Sequence, residues 1–142
     1  MHTPLYKNEY ITHVIPLIQN AGHSINICTY DWRWYPENPE HDIQQLNMNL
    51  VAAVARNVKV KALVQDRSIV SLLKSHGIAA KQLVNAPTLH AKIMIVDNEI
   101  VVFGSHNLTH RAMSHNIELS CMTDTPAIVN QLGTIFNNLY GL

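Results

Sequence analysis

The chain reads as an α/β protein, a mixed β-sheet flanked by helices on both faces. Three observations predict this. Segments with apolar residues at helical spacing alternate with short strand-like segments along most of the 142 residues. The early strand–helix–strand units imply parallel pairing. The run from Thr88 to Asn107 instead reads as a hairpin, which adds antiparallel strands. With 47% apolar and only 14% charged residues the chain is compact rather than disordered, and residues 1–142 make a single domain.

The first helix runs from about Glu9 to Ala21, with Tyr10, Val14, Leu17, Ile18 and Ala21 at helical spacing. Pro16 predicts a kink or a short first turn, and Gly22 closes the helix. Ser24 to Tyr30 alternates as a strand. Asp31 to Pro39 crowds Trp32, Trp34 and Tyr35 ahead of two prolines and is a loop. Its rings suit stacking on a base or sugar. They equally suit covering a core edge or a subunit contact.

Asp42 to Arg56 is an amphipathic helix with Ile43, Leu46, Leu50, Val51 and Val54 inward and His41 or Asp42 as its cap. Val58 to Val64 is a strand. Asp66 or Ser68 caps a helix with Ile69, Leu72 and Leu73 inward, ending at Gly77. Ile78 to Val84 is a short strand or extended link. After the hairpin, Ile117 to Met122 is a further strand. Thr125-Pro126 opens the last helix, whose buried stripe is Ile128, Leu132, Ile135, Phe136 and Leu139.

Ten Lys and Arg balance ten Asp and Glu, so the chain has no global pull toward polyanions. That argues against a tight non-specific nucleic-acid binder, which works by phosphate neutralisation. The balance is uneven along the chain. Arg56 to Lys92 carries seven cations against Asp66 alone, so a locally basic face is one reading and ordinary solvated faces the other. Cys28 and Cys121 form no spaced framework and read as reduced core residues. No secretory leader or bilayer-length apolar run is visible, so the expected location is cytoplasmic, with no membrane partner.

The chemistry concentrates between Thr88 and Glu118. His90 and Lys92 are two apart on a predicted strand and share a face. A turn at Asn98-Glu99 sets Lys92 opposite Ser105 and His90 opposite Asn107. An imidazole, an ammonium, a hydroxyl and a carboxamide then meet in one patch. A three-residue connection would shift this register. Asp97 falls at the turn, roughly 16 Å along the strand from Lys92, and is expected to stabilise the hairpin rather than take part in chemistry. Asn107 to Ser114 is expected to form a short helix whose first N–H groups, with the Ser105 hydroxyl, face an anion near Lys92. Glu118 is expected to return to the His90 imidazole and fix its tautomer.

The pattern His90-x-Lys92-x4-Asp97-x6-Gly104-Ser105-x-Asn107, followed by Asn116-x-Glu118, resembles the HKD motif of the phospholipase D superfamily. The order of elements before it is similar to that of the small, single-motif bacterial endonucleases of that superfamily. The loop from Asp31 to Gln45 departs from them, being longer and more aromatic, which leaves substrate preference open.

The resemblance implies a phospholipase D-like fold and metal-independent phosphodiester cleavage. His90 would attack phosphorus to form a phosphohistidine. Lys92, Asn107 and Ser105 would hold the non-bridging oxygens. Asp97, Gly104 and Asn116 would complete the motif structurally. A second histidine must serve the leaving oxygen, and a single motif implies a homodimer with a composite site. A nuclease acting on DNA or RNA is the first reading. A lipid phosphodiesterase or phosphatidyl transferase is the second, and an inactive nucleic-acid-binding or dimerisation module the third. Zero net charge also points to a partner domain or larger assembly that delivers substrate.

Arg111 is a candidate phosphate contact, and Trp32 and Trp34 are candidate substrate contacts. Nine histidines raise zinc, with His106 and His110 spaced to share a helix face and His115 near by. There is no HExxH pattern and no Cys pair, so the sequence assigns no metal and no cofactor.

Overall fold

The structure is a computed structural model and describes residues 1–142. Its elements in chain order are β1 (His2–Tyr6), α1 (Glu9–Asn20), β2 (Ser24–Thr29), α2 (Asp42–Ala55), β3 (Lys59–Val64), a 3-10 turn (Arg67–Ile69), α3 (Val70–Ser75), β4 (Ala79–Gln82), β5 (Ile93–Val96), β6 (Ile100–Gly104), α4 (His110–Ser114), β7 (Leu119–Thr123) and α5 (Pro126–Tyr140). The seven strands form one sheet in the order β1-β7-β6-β5-β2-β3-β4. The β2–β3–β4 half is parallel, and every other neighbouring pair is antiparallel. This is the expected mixed sheet with helices on both faces. No helix is long and apolar enough to cross a membrane.

β5 lies at the centre, and all four of its residues, IMIV, are buried. Such a strand is a continuous apolar run because both of its faces are covered. Met94 and Val96 join the core beneath α1, α2 and α4. Ile93 and Ile95 face the other way, into a smaller core closed by Val129 and Phe136 of α5.

Several expectations are corrected. β1 was missed because Pro4 sits in its middle; on an edge strand the missing N–H leaves no neighbour unpaired. α1 runs unbroken through Pro16. Leu72 and Ile135 were placed inward but are exposed, because Leu73 and Phe136 take the core positions beside them. The β5–β6 connection has three residues, Asp97 to Glu99, so Val96 pairs with Ile100 and Ile93 with Phe103. Lys92 therefore aligns with Gly104, whose N–H reaches the Lys92 carbonyl at 3.3 Å. The ladder ends there, and His90 and Asn107 lie beyond it rather than paired within it.

The turn itself is built by Asp97 and Asn98, both at positive φ, which short polar side chains tolerate. The Asp97 carboxylate accepts from the backbone N–H groups of Gly22 at 2.9 Å, His23 at 2.7 Å and Ser24 at 2.9 Å. Partial burial pushes this carboxyl up, but the three N–H bonds outweigh it and hold its pKa below the ordinary value. Asp97→Asn should keep the backbone conformation and lose the charge. It is expected to destabilise the protein by about 1–3 kcal/mol in urea unfolding at pH 7. A depressed carboxyl pKa contributes stability above the unfolded value, near 3.9, and loses it as pH falls through the folded value. The gap between wild type and variant should therefore close only in acid below about pH 4.

Candidate active site

The end of the sheet opposite Asp97 gathers the chemical residues. It is formed by the C-terminal end of β2, the approach to β5, the exit of β6 and the approach to β7. His90 is exposed, whereas the Lys92 side chain threads inward and the residue is only 9% exposed. The Lys92 Nζ lies 3.0 Å from His90 Nδ1 and 3.2 Å from Nε2. An ammonium nearly equidistant from both ring nitrogens lies over the ring rather than along either in-plane lone pair. The nitrogen lone pair is thus left open toward solvent.

Tyr30 completes this corner. Its ring centroid is 5.3 Å from that of His90 and 6.0 Å from the Lys92 Nζ. Burial lowers the Lys92 pKa, and the Glu118 carboxylate opposes that shift. Glu118 in turn accepts from Asn116 Nδ2 at 3.1 Å. The carboxylate is therefore a counter-charge to Lys92, and the expected bond from Glu118 to His90 is not made within the chain.

Asn107 is held by its carbonyl oxygen, which accepts from the Asp31 N–H at 3.1 Å. Asn107 lines an open cavity of about 410 Å³ with Asp31, Arg33, Tyr35, Thr109, Arg111 and Asn116. Arg111 is thus placed beside Asn107, and its side chain is exposed. Ser105 is placed differently from expectation. Its hydroxyl accepts from the Leu119 N–H at 3.0 Å, which extends the β6–β7 junction. The one remaining hydroxyl proton is free to donate. Gly104 is required here because an added Cβ would fall on Ser120.

The family model described as cardiolipin synthase, PLD-like domain, matches residues 14–140. The chain belongs to this phospholipase D-like family. NucT from Helicobacter pylori has the same fold at a TM-score of 0.82, with 16% identity over 99% of this chain and 96% of that one. Nuc from Salmonella typhimurium, a phospholipase D family member, matches at a TM-score of 0.82 and 26% identity, over 99% of this chain and 94% of that one. TrmBL2, an archaeal chromatin protein, matches at 0.66 and 18% identity over 99% of this chain and 52% of that one. No curated protein is similar enough in sequence to match.

Within this phospholipase D-like domain the aromatic loop has a structural place. Trp32 is 2% exposed, and its Nε1–H donates to Asn47 Oδ1 at 2.7 Å, so it is a core anchor rather than a substrate contact. Trp34 is half-buried and stacks on His76, with ring centroids 4.8 Å apart. Trp32 lies in the core, while Trp34 packs against its edge and also lines the open cavities beside Pro36 and Pro39. Tyr30, Asp31, Arg33 and Thr109 were missed as site residues. The available signal was position: Tyr30 and Asp31 follow the C-terminal end of a parallel strand, where α/β sheets build their sites.

The helix expected from Asn107 begins only at His110, because Thr109 caps it by accepting from the Ala112 N–H. His106 therefore shares no helix face with His110. It is buried, with Nε2 2.8 Å from the Lys7 carbonyl and Nδ1 2.8 Å from Ser120 Oγ. The carbonyl can only accept, so Nε2 carries the proton and the Ser120 hydroxyl donates to Nδ1. Burial lowers the pKa of His106 despite the Lys7 carbonyl and the Glu118 charge, which raise it. A depressed histidine pKa contributes stability above the unfolded value and loses it as pH falls through the folded value. Thermal unfolding should show stability falling as pH drops below about 6.5, and His106→Gln should flatten that slope.

Proposed function

We propose that this domain is a metal-independent nuclease that cleaves DNA or RNA phosphodiesters through a phosphohistidine intermediate at a site shared by two subunits. The observation that carries this is the exposed His90 imidazole with the Lys92 ammonium at 3.0 Å over its ring. A ring nitrogen of His90 attacks phosphorus, and the bond to the leaving oxygen breaks. A second imidazole, protonated, gives its proton to that oxygen. Water then attacks the phosphohistidine, loses a proton to the same second imidazole, and the P–N bond breaks. Lys92, Asn107 and the Ser105 hydroxyl stabilise the charge that builds on the equatorial oxygens.

No second imidazole is in hydrogen-bond or ring contact with His90, whose side-chain partners are Lys92 and Tyr30. His106 is buried and fully bonded, His76 is stacked on Trp34, and His41 and His110 flank Asp42. A two-fold dimer that presents both His90 side chains to one phosphate meets the need. The two rings would then titrate as a coupled pair. A polar substrate is favoured by the cavity beside Asn107, where Arg33, Arg111, Asn116 and Thr109 stand. The lipid reading loses Trp32 from its apolar rim, because that ring is an interior anchor. Delivery by a partner domain or larger assembly remains part of the proposal, because the chain has zero net charge.

The test is incubation with single- and double-stranded DNA, RNA and phosphatidylglycerol vesicles, all in EDTA. Nucleic-acid cleavage should be lost in His90→Ala and fall about 10²–10³-fold in kcat in Lys92→Ala. Turnover of the vesicles alone would favour the lipid transferase reading. Binding of nucleic acid without cleavage would favour a recognition module, as DNA binding does for the archaeal chromatin protein TrmBL2. Mixing wild type with excess His90→Ala should lower activity as the square of the wild-type fraction. An active monomer in sedimentation would overturn the shared site.

A further inference from the structure

A second cluster of chemically competent side chains lies where the aromatic loop meets α2 and α4. His41 Nδ1 is 3.1 Å from Asp42 Oδ1. His110 Nδ1 is 3.3 Å from both Asp42 Oδ1 and Oδ2. One ligand atom from each residue can be chosen so that no two are more than 4.8 Å apart. Ligands at about 2.0–2.2 Å in a tetrahedron around zinc stand roughly 3.3–3.5 Å from one another. The His110–Asp42 separation of 3.3 Å already has that value, and the His41–Asp42 separation of 3.1 Å is slightly shorter. The widest pair closes onto an ion with a side-chain rotation of roughly 1–1.5 Å.

The surroundings hold the cluster in place. Tyr35 stacks on His41 with centroids 3.9 Å apart, and its hydroxyl accepts from the His110 N–H at 3.2 Å. His115 packs edge-on against the His110 ring at 5.3 Å. The His41 and Asp42 side chains are only 12% and 24% exposed, whereas His110 at 40% leaves one side open to solvent. The helix cap does not depend on the His41 lone pair. The Ile43 N–H has a shorter bond to Asp42 Oδ1, 2.7 Å, than to His41 Nδ1, 3.3 Å. His41 can therefore turn its nitrogen to an ion while the cap persists.

We propose that His41, Asp42 and His110 form a zinc-class cation site, with water as the fourth ligand, that ties the aromatic loop to α4. Two imidazole nitrogens and one carboxylate suit zinc and exclude the all-oxygen preferences of magnesium and calcium. The ion takes no part in the phosphoryl chemistry, since none of its ligands touches His90 or Lys92. Its effect is positional. Tyr35, Thr109 and Arg111, which line the cavity beside Asn107, are bonded to or adjacent in sequence to its ligands.

The test uses the full chain, stripped with EDTA, dialysed and titrated with zinc chloride by calorimetry. One zinc per chain should bind. Tm should rise by roughly 10 °C at a zinc concentration about 100-fold above Kd. Cobalt should give the visible bands of a four-coordinate ion. His110→Ala leaves the backbone bond to Tyr35 intact and should abolish binding, as should Asp42→Asn, with circular dichroism unchanged. His90→Ala should bind zinc as the wild type does. Absence of binding, binding that survives His110→Ala, or binding lost in His90→Ala would each overturn the site; the last would place the ion at the reactive histidine instead.

Discussion

One carboxylate fixes the geometry of the sheet. Asp97 accepts three consecutive backbone N–H groups from Gly22, His23 and Ser24, and its own N–H donates to the Ser24 carbonyl at 2.8 Å. The exit of α1, the start of β2 and the β5–β6 turn are thereby joined at one point. β5 is the strand through which the antiparallel half of the sheet meets the parallel half. A slip of one residue there would exchange its two buried faces. The clamp prevents it, and in doing so sets where Lys92 and His90 emerge at the other end. The last letter of the HKD motif thus acts on the site from across the sheet, by register.

The same strand shows how much was legible. A buried central strand announces itself as an apolar run, and the surrounding helices by their spacing. The elements and the end of the sheet that carries the site could therefore be read in order. The hairpin register could not. Turn length is decided by backbone conformation at Asp97 and Asn98, and the sequence permits two, three or four residues there. The three-residue connection moves Lys92 opposite Gly104, yet the polar groups still share one end. Both chains have left the ladder by His90 and Asn107, so their placement no longer depends on pairing. Glu118 was placed against His90, but within the chain it accepts from Asn116 two residues away. Ser105 accepts from the Leu119 N–H, which leaves its one proton to donate.

The aromatic loop left two readings open, stacking on a base or sugar and covering a core edge. Trp32 is buried, which favours the second. Its burial answers a structural need. The backbone around it forms a parallel bridge with Leu108: the Arg33 N–H donates to the Leu108 carbonyl at 3.0 Å and the Leu108 N–H to the Asp31 carbonyl at 3.1 Å. Asn107 is the residue before that bridge. The indole, held by Asn47, is the anchor that keeps the bridge in place. Asn47 is itself satisfied by the Arg33 carbonyl and by Gln44, so the buried polar groups close on one another. A loop dense in aromatic residues therefore holds Asn107 in place through Trp32, while its Asp31, Arg33 and Tyr35 line the cavity beside that residue.

The candidate site of this chain of zero net charge holds one ammonium, that of Lys92. The favourable charge is not spread over the surface but sunk at one point. Lys92 gives up most of its hydration on folding, which lowers its pKa, and Glu118 supplies the counter-charge that offsets part of that penalty. An ammonium partly removed from water interacts more strongly with a nearby negative charge than a fully hydrated one. A fully hydrated lysine on a basic surface would bind phosphate sooner but stabilise a transition state less, since its water would have to reorganise as charge develops. On the proposed nuclease reading, an ammonium buried beside an exposed imidazole would act at the reacting phosphorus, and general affinity for the polymer would be supplied elsewhere.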